Sequence, residues 1–179
     1  MGLKSKTIRA NVKFENLIIY LSSFNMPFMC LKKLAKLLYF IDFTYFEKND
    51  RPITGVEYVK QSYGPMPLPK VFYSVIEQLE KEDKIKLIKA KGDFETKIPV
   101  AQKKPNMELF SEDEQQMINV IKDKYFNNSA NEVENIAKGE PPYKMTLYKE
   151  KIPYHLAYYR NSFGEMDLDG DGDESMDLG

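Results

Sequence analysis

The stretch that most constrains the fold is "CLKKLAKLLYFIDFTYFEK", residues 30–48. Leu31, Leu34, Leu38, Ile41 and Tyr45 recur at helical spacing and form one stripe. Leu37, Phe40 and Thr44 fill the neighbouring side, with Phe43 and Phe46 further round. An apolar arc this wide has no single outward face, so the helix must be covered from more than one side. A chain of 179 residues with 12 Tyr and 11 Phe has the material to cover it. The expectation is a mainly α (α+β) domain built around a central helix at 30–48.

The flanking segments supply the cover. In "FENLIIYLSSF", 14–24, Phe14, Leu17, Ile18 and Leu21 share one helical face, and Asn25-Met26-Pro27 breaks it. "KVFYSVIEQLEKED", 70–83, turns Phe72, Val75, Ile76 and Leu79 inward. Residues 84–101, "KIKLIKAKGDFETKIPVA", alternate on both sides of Lys91-Gly92-Asp93, which predicts a β-hairpin. A helix followed at once by a hairpin resembles the second half of a winged-helix unit. Ser111-x-x-Glu114 and Ser129-x-x-Glu132 are capping boxes that open two more helices. Gly139 suits the position just past the second of them. Residues 149–160 carry no clear pattern.

Charge divides the chain. Residues 1–13 hold Lys4, Lys6, Arg9 and Lys13 and no acid, whereas 161–179 hold seven acids and no base. Between them, 14–160 carries 22 basic and 20 acidic residues. A nearly neutral core gives little support to nucleic-acid binding, whose affinity comes mainly from phosphate neutralisation. The tail composition predicts disorder. The organisation expected is a basic arm (1–13), a helical domain (14–148), a C-terminal extension (149–160) and an acidic tail (161–179).

The residues of enzyme chemistry are sparse. His155 is the single histidine and Cys30 the single cysteine. One histidine cannot make a multi-histidine metal site, and for a hydrolase triad His155 lies outside the well-patterned core, in the aromatic-rich "PYHLAYY", with no carboxylate at helical spacing from it. Cys30 at a helix start reads best as a small buried thiol. Glu112, Asp113 and Glu114 fall in a first helical turn, where they complement the helix dipole. In the tail, Asp167, Asp169, Asp171 and Gly172 follow an EF-hand beginning, but Leu178 stands at the position of the bidentate Glu. No phosphate-binding glycine motif occurs. No catalytic residue, cofactor or metal is expected. No apolar run is long enough to span a bilayer and no secretory signal precedes the domain, so a cytoplasmic location is expected.

"SYGPMPLP", 62–69, places Pro65, Pro67 and Pro69 two residues apart. In an extended chain those prolines strip N–H donors from one edge, leaving Met66 and Leu68 to donate from the other. Pro69 then suits the start of the helix at 70–83. The segment reads as a stiff connector that docks Tyr63 and Met66 on the central helix, with direct partner contact as the competing role.

Three segments carry a family resemblance. They are "LKKLAKLLYFIDF" (31–43), "YVKQSYGPMPLPKVFYSV" (58–75) and "FSEDEQQMINVIKDKYFNNSANEVENIAKGEPPYKM" (110–145). In this order they resemble the Panacea domain, the SocA-like family that includes phage-associated proteins of the GepA type. The resemblance covers about 14–148, with Tyr143 standing where Trp is usual. It implies an antitoxin that counteracts a protein toxin, encoded beside it, by direct contact. Tyr63, Gly64, Pro65, Met66 and Pro67 are then the candidate toxin contacts. The competing function is a winged-helix-like transcriptional regulator, with Lys84, Lys86, Lys89 and Lys91 on the wing. The acidic end of 70–83, "EQLEKED", speaks against it, because it would repel phosphate.

Overall fold

The computed structural model describes residues 2–160. Helix α1 spans Gly2–Ser22 and α2 spans Leu31–Asn49. Residues 2–13, read as a basic arm, therefore continue the helix of 14–22. The acidic tail and the Asp167–Gly172 pattern lie outside the described residues.

Helix α2 is the axis of the molecule. Every residue from Lys33 to Tyr45 is buried, as the width of its apolar arc requires. Phe14, Leu17, Ile18 and Leu21 of α1 are fully enclosed against the same core. Strands β1 (Tyr58–Gln61) and β2 (Gly64–Pro67) lead into α3 (Pro69–Lys81). The antiparallel pair β3 (Ile85–Ala90) and β4 (Asp93–Ala101) follows, closed by Lys91-Gly92 with Gly92 at φ 79°. Helices α4 (Glu112–Lys124), α5 (Ala130–Gly139) and the short α6 (Pro141–Lys144) complete the cover. Both predicted capping boxes form. Stacking of Tyr125 on Phe40, with centroids 4.5 Å apart, ties the end of α4 to α2.

The fold class expected from the sequence is the one observed: mainly helical, with small antiparallel sheets. The order α3–β3–β4 gives the helix followed at once by a hairpin that resembles half of a winged-helix unit. A tight helix-to-helix turn into α3 is missing, because β1–β2 lies between α2 and α3. Gly139 departs from its expected role. It closes α5 without a left-handed φ, and Glu140 leaves the helix extended (φ −80°, ψ 147°). Pro141 enforces this, since the residue before a proline is pushed out of helical geometry.

"SYGPMPLP", expected as a stiff extended connector, forms the turn and second arm of a hairpin. Tyr58 pairs with Pro67, Val59 with Met66, Lys60 with Pro65 and Gln61 with Gly64. Tyr58 and Lys60 spend their backbone groups on the opposite edge. Ile152 N–H donates to the Tyr58 carbonyl (2.8 Å), and Lys60 N–H donates to Glu150 O (3.0 Å). Their partners Pro67 and Pro65 thus face positions that need no donor. Leu68 N–H does donate, to Glu57 O at 2.8 Å, in line with the alternation of donors expected from the prolines.

Residues 149–160 belong to this core. Val59 bridges Lys151 on the free edge of β1. Tyr154 then stacks on Phe43 and Phe46, with centroids 4.9 and 5.4 Å away. The buried Arg160 ends the segment. Its guanidinium donates to both Glu140 carboxylate oxygens at 2.9 Å, to Thr44 at 3.0 Å and to Glu47 at 3.1 Å. A bidentate pair of this kind anchors the last turn to α2 and α6.

Candidate partner-binding surface

Three charged side chains of α2, Lys33, Lys36 and Asp42, lie in its buried arc, and two of them are satisfied. Lys33 Nζ donates to the carbonyls of Pro27 (3.0 Å) and Phe126 (2.9 Å), stapling the α1–α2 loop to the end of α4. Asp42 accepts from Thr54 N–H (2.8 Å), Thr54 Oγ1 (2.5 Å) and Tyr58 OH (2.6 Å). Burial pushes its carboxyl above the usual range, while these donors pull it back.

Lys36 is the third, and it differs. It is fully buried, and its Nζ has no hydrogen-bond partner. Burial lowers its pKa to about 7, partly countered by Glu134 and reinforced by Lys32 and Lys138. The amine lies beneath the turn between β1 and β2, 5.4 Å from the centre of the Tyr63 ring. Gly64 covers the side chain at φ 105°, and a Cβ there would sit 2.6 Å from Lys36 Cε. Both its conformation and its closeness to Lys36 call for glycine.

Around this turn the surface is aromatic and basic. Tyr63 is 39% exposed, Tyr73 and Tyr148 about half exposed, and Leu147 and Met145 open to solvent. Burial raises the Tyr63 phenol's pKa, and nearby Tyr73 and Tyr148 add to it. Lys60 Nζ lies 4.3 Å from the Tyr143 ring centre and Lys149 Nζ 5.5 Å from that of Tyr148. Three tyrosines of one surface therefore each carry a lysine. Tyr73 also borders a groove of about 940 Å³ between the start of α2, α3, the β3–β4 hairpin and the start of α5.

Of the five candidate toxin contacts, only Tyr63 presents a side chain to solvent. Gly64, Pro65, Met66 and Pro67 are interior, with Met66 accepting the Tyr63 OH at its Sδ (3.3 Å). On the wing, Lys84 pairs with Glu82 at 2.6 Å, while Lys86, Lys89 and Lys91 are exposed. Lys89 stands opposite Lys97 across the hairpin. Glu77 and Glu80 are exposed on α3 beside it, with Lys81 held by Glu77. Acids on the helix that would enter a groove oppose phosphate contact.

Cys30 is buried at the cap of α2 and His155 is exposed. No group of three metal-ligating side chains occurs among the described residues. Glu114 does more than complement a helix dipole. It is buried and accepts from Lys13 (2.9 Å) and Arg51 (3.0 Å), tying α1 and the α2–β1 loop to α4. No helix among the described residues is long and apolar enough to cross a membrane.

A family model described as "Antitoxin SocA-like, Panacea domain" matches residues 34–144. The chain belongs to that family. No curated protein and no solved structure matches it. The Panacea match runs from the first full turn of α2 to the last residue of α6, narrower than the 14–148 of the sequence resemblance. Lys36, Tyr63, Tyr73 and Tyr143 all fall inside the Panacea span, whereas Tyr148 and the Arg160 anchor lie beyond it.

Sequence reasoning passed over Lys36, Tyr73 and Tyr148. For Lys36 a signal existed. An apolar arc wide enough to need cover from more than one side leaves little outward room for a lysine between Ala35 and Leu37. The gathering of Tyr63, Tyr73 and Tyr148 had none, since it depends on how β1–β2, α3 and the 145–150 segment meet.

Proposed function

We propose that this Panacea-family chain is the antitoxin of a toxin–antitoxin pair, without enzymatic activity of its own, and that it neutralises a cognate protein toxin by direct contact through the surface around Tyr63. Family membership supports the antitoxin role. The observation that carries the contact surface is the cluster of exposed Tyr63, Tyr73 and Tyr148 at the β1–β2 turn. Tyrosines on a stiff scaffold contribute large contact area with little entropy lost on binding. The groove beside Tyr73 extends the same surface.

The test is coexpression with the product of the adjacent reading frame. The expected result is rescue of growth and recovery of a stoichiometric complex. A Tyr63→Ala/Tyr148→Ala variant that stays folded is expected to lose both. Rescue without complex formation would overturn neutralisation by direct contact.

A further inference from the structure

We propose that the Lys36 amine is the buried receptor for a carboxylate side chain of the toxin, reached when the Tyr63 ring swings away from the β1–β2 turn. This rests on the antitoxin reading and specifies the partner's chemistry at that surface.

The first argument is local charge. Glu134 on α5 is the acid nearest in chemistry to Lys36, but it is already taken. Lys32 pairs with one of its oxygens and Lys138 with the other, at 2.8 Å for Lys138. Two of the three lysines around Glu134 thus share its carboxylate, and Lys36 is left without an acceptor. Lys60 and Lys149 add positive charge over the neighbouring tyrosines. A buried donor without an acceptor is costly, and a carboxylate brought by a partner removes that cost. The surface is thereby primed for an acidic partner.

The second argument is access. Tyr63 sits on the two-residue turn Ser62–Tyr63, and its OH donates to a thioether, Met66 Sδ. Sulfur of this kind is a weak acceptor, so this hydrogen bond does little to fix the ring. Once swung, the same phenol is free to donate to the second carboxylate oxygen. A phosphate fits less well. It needs several donors around three oxygens, and Pro65 and Pro67 offer no backbone N–H.

Lys36 titrates close to neutrality in the free protein, at about 7. The titratable groups facing it are Glu134 and Lys138 from α5, Lys32 and Cys30 from the first turn of α2 and its cap, and Tyr63 from the turn. Strand β2 contributes none. Carboxylate capture requires the ammonium form, so binding takes up protons above neutrality.

The experiment measures calorimetric affinity for the adjacent frame's product at pH 6 and pH 8, for wild type and Lys36→Met. Wild type is expected to bind about tenfold more weakly at pH 8, because an ammonium titrating near 7 is about nine-tenths lost there. Lys36→Met is expected to bind at least about tenfold more weakly than wild type at pH 6, without that pH step. In a double-mutant cycle, one Asp or Glu of the toxin is expected to couple to Lys36. Equal affinity of the two proteins with the same pH response overturns the proposal, as does a cycle in which no toxin carboxylate couples. If Lys36→Met does not fold, the wild-type response decides alone, and an affinity unchanged from pH 6 to pH 8 overturns it. Absence of wild-type binding at both pH values is a different result: it overturns the antitoxin reading, and this inference with it.

Discussion

The Nζ of Lys36 sits 5.4 Å from the centre of the Tyr63 ring, and no hydrogen-bond acceptor reaches it. An amine buried this deeply in a core of Leu, Phe and Tyr works against folding whenever it is charged. Its place in α2, one turn after Lys32 and beneath the Tyr63 ring, links the centre of the fold to the surface proposed for the partner.

The cost of Lys36 should be visible as a pH dependence of stability. The folded pKa is about 7, against 10.5 for the ordinary side chain. The unfolded chain therefore binds more protons between these values, and stability rises with pH across that window. Unfolding in urea is expected to give roughly 2 kcal/mol more stability at pH 9 than at pH 7. Lys36→Met should remove this rise and stabilise the protein by on the order of 2–4 kcal/mol at pH 7. The gain should reverse in strong alkali. Tyr39, Tyr58 and Tyr154 are held well above the ordinary phenol range by burial, so the unfolded chain ionises first. A flat wild-type profile from pH 7 to pH 9 would contradict the assignment.

Gly64→Ala should destabilise by about 2 kcal/mol, from a left-handed backbone that L side chains adopt at a cost. The added methyl meets Lys36 Cε at 2.6 Å, so the lysine must shift as well. Denaturant midpoints of Gly64→Ala and of Gly92→Ala, which has open space around it, separate the two causes. The loss at Gly92 should reflect backbone strain alone and be the smaller.

Tyr63 distinguishes a connector from a contact. Its phenol has a weak partner and its ring is partly exposed, so Tyr63→Ala should leave the melting temperature within a few degrees of wild type. Binding to the toxin should fall by roughly 30-fold or more, as at interface hot spots. Circular dichroism melts beside binding isotherms make the comparison. A loss of folding would return Tyr63 to the connector role.

Truncation after Tyr148 should abolish the fold, although the family match ends at residue 144. It strips Tyr154 from Phe43 and Phe46 and removes the strand edge on β1. Arg160→Met isolates the ionic part. It takes away the cation shared by Glu140 and Glu47, and a loss of about 3–5 kcal/mol is expected in thermal or urea unfolding. A truncated chain that melts cooperatively would show the segment to be dispensable.

Much of the framework was legible before any coordinates. The wide apolar arc of 30–48 required a central helix, and the serine–glutamate spacings marked two helix starts. The Lys91-Gly92 turn marked a hairpin. These are local regularities, written in residues a few positions apart. Extended backbone was legible at 62–69, but its pairing with β1 was not, because three prolines can pair in a ladder where their partners need no donors. That condition is met only because residues 149–152 occupy the other edge of β1.

The same division holds for function. The sequence by itself determined that the chain is a helical domain with the order of segments of the Panacea family, because periodicity, capping and motif order are properties of neighbours along the chain. Tertiary structure alone decided that Gly64 to Pro67 are interior and that Tyr63, Tyr73 and Tyr148 form one surface. It also decided that Lys36 is left without an acceptor while Lys32 and Lys138 share Glu134. Those outcomes depend on which side chains from distant segments arrive first at a shared carboxylate or a shared face, and spacing along one chain does not encode that competition.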